Sequence, residues 1–225
     1  MEKIKFSIVI PLYNEAKNIV SLLEEIYQSI NIDFVEYEIL LINDGSKDDT
    51  QSVIEKIHLL NIKIIIINHD ENLGQSKSLL AGIKKASFDH IISIDGDGQN
   101  DPADIPKMIN FYINNNYELV GGIRFKRNDI FIKRISSKIA NFIRRLILND
   151  NCPDTGCSLK IFKKDIFLLV PFFDGIHRFL PALYKGCGKK TFFLKVNHRA
   201  RVYGVSNYGI FDRMIKGLRD LYRVV

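Results

Sequence analysis

Arginine is missing from the first 123 residues of this 225-residue chain, and glutamate is missing after residue 118. The two absences divide the charge. Residues 1–120 hold 10 Lys against 19 Asp and Glu, a balance of −9, and residues 121–225 hold 22 Lys and Arg against 7 Asp, a balance of +15. Cysteine is scarce. Cys152, Cys157 and Cys187 form an odd set with no CxxC and no partner His at zinc-finger spacing, which excludes a zinc finger and reads as reduced cytosolic thiols. No apolar run approaches the ~20 residues of a membrane span. The first strand is expected almost at once, at Lys5–Ile10, with no signal peptide ahead of it. Neither a GxGxxG after that strand nor a GxxxxGK[ST] occurs, so dinucleotide and P-loop readings are weak. Internal repeats, low-complexity tracts and linkers are absent too.

What is present is 46% apolar residues, enough for one large α/β domain or a domain with a small appendage. Apolar runs at Phe6–Ile10 (bounded by Pro11), Tyr37–Ile42, Ile62–Ile67 and Ile91–Asp95 read as buried strands. Helical patterns lie between them at Ile19, Leu22, Leu23, Ile26 and Ile30, from Ser46-Lys47-Asp48-Asp49 with its capping-box spacing, and at Leu79, Leu80 and Ile83. This β-α-β-α-β-α-β alternation predicts a doubly wound, mostly parallel sheet flanked by helices. Polar residues follow every strand: Tyr13 and Glu15, Asp44 and Ser46, Asn72 and Gly74, Asp95 and Asp97. Ligands bind at that carboxyl edge in open α/β sheets, and four such turns on one edge favour a nucleotide-type site.

The stretch Ile91–Pro102 organises the rest. A buried strand ends in two carboxylates, Asp95 and Asp97, with the Gln99 amide two residues on. Gly96 and Gly98 let the chain turn tightly, and Pro102 suits the first turn of a helix. Hard oxygen donors there suit Mg²⁺ or Mn²⁺ with substrate phosphates. An EF-hand loop is excluded by Asn100 at its sixth position and Pro106 at its twelfth. Alone, the segment fits an ion site and an ordinary polar turn equally.

Beyond it, Asp101–Asn115 reads as a helix, Tyr117–Ile123 as a strand, Phe131–Leu148 as a basic helix with an apolar stripe, Ser158–Phe162 and Lys195–Ala200 as strands. The basic helix suits core packing or a membrane surface. Phe211–Val225 is a basic amphipathic helix that suits docking on its own core or on anionic lipid. His177, beside Arg178 in apolar helical sequence, fits a satisfied core residue and a phosphate contact about equally.

Pro11-Leu12-Tyr13-Asn14-Glu15, Asn43-Asp44-Gly45-Ser46, Asn72-Leu73-Gly74 and Asp95-Gly96-Asp97-Gly98-Gln99 resemble a family 2 glycosyltransferase with the GT-A fold. Gly122-Ile123-Arg124, Lys133–Ser137, Asp154-Thr155-Gly156-Cys157 and Arg201-x-x-Gly204-x-Ser206 look like its polyprenyl-phosphate branch, typified by dolichol-phosphate mannosyltransferase. The resemblance implies a GT-A domain over 1–210, with a nucleotide-sugar half (1–123) and an acceptor half (124–210), and the terminal helix over 211–225. It implies that Pro11, Tyr13, Glu15 and Asp44 surround the nucleoside. Asp95, Asp97 and Gln99 would hold the metal, with Asp95 also on the sugar-nucleotide. Arg124, Arg134 and Ser137 would bind the acceptor phosphate, and Arg201 and Ser206 would close over the diphosphate. Asp97, Arg124 and Arg201 would then be the catalytic set. Where the family often has Asp-Asp this chain has Asn43-Asp44, so only Asp44 is carried over, and Lys133 beside Arg134 shares the claim to the phosphate.

The implied reaction is inverting, metal-dependent sugar transfer from a nucleoside-diphosphate sugar to a polyprenyl phosphate at the cytoplasmic face of a membrane, with Mg²⁺ or Mn²⁺ as cofactor. A phosphate acceptor is already ionised and needs no general base, which fits a second half without Glu; a hydroxyl acceptor of a glycan, the rival reading, would want a carboxylate base. The implied partners are the sugar nucleotide, the lipid and the membrane surface, with a membrane-protein partner or a second copy of the chain left open. A nucleic-acid module lacks RNP, helix-turn-helix and zinc spacing. A nucleotidyltransferase lacks a Gly-rich, Arg-containing loop after the first strand.

Overall fold

The computed structural model describes residues 3–31, 34–58, 62–125, 147–148, 150–201 and 221. The expected basic helix at 131–148, nearly all of the terminal helix at 211–225, and Arg134, Ser137 and Ser206 lie outside the described residues.

Among the described residues, seven strands form one sheet in the order β3-β2-β1-β4-β6-β5-β7. They are β1 (Ile4–Leu12), β2 (Val35–Asp44), β3 (Lys63–His69), β4 (His90–Ser93), β5 (Leu119–Phe125), β6 (Lys160–Lys163) and β7 (Thr191–Asn197). All pairings are parallel except those of β6, which runs antiparallel between β4 and β5. The helices are α1 (Ile19–Ser29), α2 (Thr50–Ile54), α3 (Gln75–Lys85), α4 (Ile105–Asn114), α5 (Lys164–Leu169) and α6 (Ile176–Gly186). A 3-10 turn at Pro102–Asp104 leads into α4, with the Asp101 side chain accepting from the Ala103 N–H at 3.1 Å.

Strand alternation sends side chains to two cores. Phe6, Ile8, Ile10 and Leu12 face Ile19, Leu22, Leu23 and Ile26 of α1 and Ile105, Met108 and Tyr112 of α4. Val9, Leu40, Ile42 and Ile91 face Leu79 and Ile83 of α3, Ile166 and Phe167 of α5 and Ile176, Leu180 and Tyr184 of α6. The i, i+3, i+4, i+7 spacing on α1 is what makes it a helix with one buried stripe. On the second face the buried Glu38 is satisfied by the Ser7 hydroxyl (2.7 Å), the Ser87 N–H (2.5 Å), the Ser87 hydroxyl (2.9 Å) and Lys63 (3.2 Å).

Most element ends shift by one to a few residues from expectation (β4, β5 and β6 among them), and two of these shifts have a visible cause. Pro11 is the penultimate residue of β1 instead of its stop. α2 begins at Thr50, four residues past Ser46, because Asp48 accepts from the Thr50 N–H and hydroxyl while the Ser46 hydroxyl is used elsewhere. The last strand is Thr191–Asn197, not Lys195–Ala200. The chain leaves β5 there because the Asn197 N–H donates to Asp104 Oδ2 (2.6 Å) and the Arg199 N–H to the Gln99 carbonyl (2.8 Å).

Candidate active site

Strand order reverses between β1 and β4, so a crevice opens at their carboxyl ends. Its walls are the loops after β1, β2, β3 and β4. Pro11, at the end of β1, and Tyr13 and Glu15, on the loop that follows it, are half-buried. This loop is stitched to the one after β2: the Asn14 N–H donates to Ser46 Oγ (2.9 Å), Asn14 Oδ1 accepts from the Lys47 N–H (2.7 Å), and the Glu15 N–H donates to Thr50 Oγ1 (2.9 Å). Asn14 takes a left-handed φ of 59° to reach both partners. Asn43 accepts from the Ser46 N–H (3.1 Å) and donates to Asn68 (3.1 Å), so it holds the turn. Asp44 is 3% exposed; its carboxylate takes His69 Nδ1 (2.8 Å), the Leu73 N–H (3.0 Å) and the Gly74 N–H (2.9 Å).

The carboxylates after β4 are set from both sides. A Cβ on Gly96 would stand 2.3 Å from Leu12 Cδ2 and 3.3 Å from the Pro11 carbonyl, so the turn presses directly on the first loop. The Asp95 N–H donates to Ser158 Oγ (3.2 Å), which also receives the Asn100 amide (2.7 Å). Asp95 Oδ1 accepts from Gln75 Nε2 at 2.6 Å. Asp97 Oδ1 accepts from the Gln99 N–H (3.1 Å), and Asp97 Oδ2 pairs with Arg201 at 2.5 Å. The Gln99 amide donates to the Arg199 carbonyl (3.4 Å), and Arg199 bridges Glu25 (2.5 Å) and Asp101 (2.7 Å).

Negative charge is crowded here. Burial, then the Asp97 charge, pushes the Asp95 carboxyl up to about 6 against the pull of Ser158, Lys160 and Arg124. Burial, with the charges of Asp97 and Asp95, pushes Glu15 up to about 7, against Asn18 and Arg201. A divalent cation would relieve this crowding. Among the described residues no group of three or more His, Cys, Asp or Glu gathers as a complete metal cage. Two carboxylates from the protein suit a hard cation that takes its other ligands from phosphates and water.

Arg124, at the carboxyl end of β5, is held in a bidentate pair with Asp154: Nε to Oδ2 and Nη2 to Oδ1, both 2.7 Å. The Asp154 carboxylate also takes the Arg124 and Gly156 N–H groups. Cys157 is buried, and burial pushes its thiol up to about 11, so it serves packing.

The structure thus brings together Pro11, Tyr13, Glu15, Asp44, Asp95, Asp97, Gln99 and Arg201 at one edge, with Arg124 acting electrostatically on Asp95 from β5. Sequence reading missed four contributors. Gln75 holds Asp95, Ser158 anchors its backbone and Asp154 orients Arg124. Lys160 is a 3%-exposed cation that donates to the Cys157 carbonyl and acts on Asp95. Only Asp154 carried a signal, as the first residue of a quoted motif. His177, left between core and phosphate roles, is half-buried and hydrogen-bonds Ser76.

The family model described as Glycosyl transferase family 2 matches residues 7–169. The chain is 33% identical over 229 residues to the dodecaprenyl-phosphate galacturonate synthase of Rhizobium johnstonii, a match covering 100% of this chain and 68% of that protein. It is 32% identical over 222 residues to the undecaprenyl-phosphate 4-deoxy-4-formamido-L-arabinose transferase of Proteus mirabilis, covering 98% and 68%. The chain therefore spans about two thirds of the length of both relatives. Among solved structures, glucosyl-3-phosphoglycerate synthase from Mycobacterium tuberculosis, in complex with Mn²⁺, uridine diphosphate and glucosyl-3-phosphoglycerate, superposes with a TM-score of 0.73 at 16% identity, covering 98% of this chain and 78% of that one. The same enzyme is also solved with Mg²⁺ and uridine diphosphate (TM-score 0.72, 16% identity, 98% and 77%). These likenesses show the GT-A fold.

Proposed function

This chain belongs to glycosyl transferase family 2 and is a glycosyltransferase, and from that premise we propose that it moves a sugar from a nucleoside-diphosphate sugar to a polyprenyl phosphate. The observation that carries the acceptor class is the likeness, over nearly all of this chain and about two thirds of each relative, to two transferases named for polyprenyl-phosphate acceptors. The geometry supports it: carboxylates suited to a cation lie beside Arg201 and within electrostatic reach of Arg124, so two anions can be brought together.

In this reading Pro11, Tyr13, Glu15 and Asp44 line the nucleoside end, and Asp95 and Asp97, with Gln99, hold the cation. Bound there, Mg²⁺ or Mn²⁺ would act as a Lewis acid on the departing diphosphate. Arg201 is released from Asp97 and turns to the diphosphate. Arg124, fixed by Asp154, draws in the acceptor phosphate, with Arg134 and Ser137, while Ser206 joins Arg201. A phosphate oxygen of the lipid attacks the anomeric carbon from the face opposite the leaving group. The bond to the diphosphate breaks, its electron pair leaves with the diphosphate, and the configuration inverts. The nucleophile is already an anion, so no side chain has to take a proton.

The lipid tail stays in the bilayer, so the enzyme works as a peripheral protein at the cytoplasmic face, meeting anionic lipid with its basic second half. No helix among the described residues is long and apolar enough to cross a membrane. The test is transfer from a panel of labelled GDP- and UDP-sugars to polyprenyl phosphate in liposomes, with and without Mn²⁺ or Mg²⁺. Metal-dependent lipid labelling, lost in Asp97→Ala, is expected. Efficient labelling of glycan hydroxyls with none on lipid phosphate would overturn it.

A further inference from the structure

Four consecutive residues, two leading into α3 and two opening it, hold three groups. The Leu73 and Gly74 N–H groups bind Asp44, Gln75 binds Asp95, and Ser76 binds His177. In the donor reading above, on which this inference rests, Asp44 marks the nucleoside end and Asp95 the diphosphate. The transferred sugar hangs beyond the diphosphate, and the Ser76–His177 pair is a polar group near Asp95 that no nucleoside or cation role uses, Lys160 acting electrostatically on both Asp95 and His177.

The chemistry of that pair is defined by its hydrogen bonds. Ser76 is fully buried, and its hydroxyl accepts from the Gly175 N–H at 2.8 Å. Its own proton is then directed to His177 Nδ1, also 2.8 Å away. A histidine accepting at Nδ1 carries its proton on Nε2; the tautomer is assigned from this network. Burial, with the neighbouring charges of Arg178 and Lys160, holds His177 well below its ordinary range, so the ring is neutral at working pH. The side chain is half-buried, and among the described residues its hydrogen-bond partner is Ser76. It is therefore a fixed neutral N–H donor, poised by a buried serine, and Lys160 acts on both it and Asp95.

We propose that His177, oriented by Ser76, donates from Nε2 to an oxygen substituent on the ring of the transferred sugar and so helps to decide which sugar the enzyme accepts. The substituent is a hydrogen-bond acceptor: a hydroxyl, a carbonyl or a carboxylate. His177 is the contacting residue and Ser76 the positioning residue.

The test separates sugar binding from nucleotide binding. Dissociation constants for UDP and GDP, and for the panel of their sugar conjugates, are measured calorimetrically with Mn²⁺ on the full chain, for wild type, His177→Ala, His177→Gln and Ser76→Ala. His177→Ala is expected to bind the nucleoside diphosphate as wild type does and to lose about tenfold on the preferred sugar nucleotide, the scale of one hydrogen bond. His177→Gln, whose amide nitrogen reaches to a similar point, should recover part of that loss, and Ser76→Ala should reproduce part of it. Equal weakening of nucleotide and sugar nucleotide in His177→Ala would make the residue a pin between α3 and α6 and overturn the proposal, as would no change in either. A wild-type protein that binds neither nucleoside diphosphate would overturn the donor reading itself, and is told apart because the wild type alone reveals it.

Discussion

Replacing Arg201 by Gln should tighten Mn²⁺ binding to the nucleotide-free enzyme while crippling sugar transfer. Arg201 sits on Asp97 Oδ2 at 2.5 Å, with side chains 28% and 10% exposed. It thus occupies a carboxylate oxygen that a cation would use. A hydrogen bond between charged groups contributes about 1.5–3 kcal/mol, and partial exposure of the arginine reduces this to about 1–2 kcal/mol. Removing the competitor should therefore improve Mn²⁺ affinity by about 5- to 30-fold. The assay is titration of free Mn²⁺ by electron paramagnetic resonance at pH 8 without nucleotide, with Asp97→Asn as the variant that should not bind. Transfer should fall by about 10²–10³-fold, the usual cost of removing a group that stabilises developing charge. The opposite signs are the point: a variant that simply unfolds the site loses both. Unchanged or weaker Mn²⁺ affinity in Arg201→Gln would refute the exchange of Arg201 between Asp97 and diphosphate.

Glu38→Gln should cost about 2–3 kcal/mol at pH 7, because Ser7, Ser87 and Lys63 all donate to a carboxylate that is 1% exposed. Burial alone would raise that carboxyl, but those donors outweigh it and hold it below its ordinary range. The stabilisation is thus present above the unfolded value of about 4.3 and lost as pH falls through the lower folded value; urea melts at pH 7 and pH 3 should show the two proteins converging in acid. Asp154→Asn loosens the clamp on Arg124 and should raise KM for the lipid phosphate by about tenfold, with little change in KM for the sugar nucleotide. Gly82→Ala would set a Cβ 2.5 Å from Val9 Cγ1 and 2.8 Å from Ile42 Cδ1, and should cost about 1–3 kcal/mol in a thermal melt.

The legible part of the sequence was the part governed by local rules. Apolar runs with polar residues at their carboxyl ends named the first four strands and the edge that carries the site, because a buried parallel strand and a polar turn are each decided by a few neighbours. The antiparallel β6 could be read as a strand from Ser158–Phe162, but its insertion between β4 and β5 is a matter of partners roughly 70 and 40 residues earlier in the chain. Ser46 shows why local rules fail at the site. Its spacing to Asp49 is that of a helix cap, yet its hydroxyl receives the N–H of Asn14, 32 residues back, and α2 starts later as a result.

The same non-locality explains which site residues stayed hidden. Asp95 and Asp97 announce themselves as a pair in sequence, whereas Gln75, Ser158 and Lys160 each look ordinary where they stand. They acquire a role only because α3 and β6 bring them to Asp95 from different directions. The hidden residues are also what make the paired carboxylates more than a polar turn. A bare Asp-Gly-Asp loop in water would keep its ordinary acidity. Here burial and the proximity of the two charges lift Asp95 and Glu15, and Arg201 meets part of the resulting demand for positive charge. In the proposed reading, a fold that confines three carboxylates and supplies one guanidinium able to leave them would hold its negative charge ready for a cation and a diphosphate arriving together. That coupling of charge at Asp97 to the segment bearing Arg201 is carried by the sheet edge as a whole, through Arg199 on Glu25 and Asp101, and no single motif contains it.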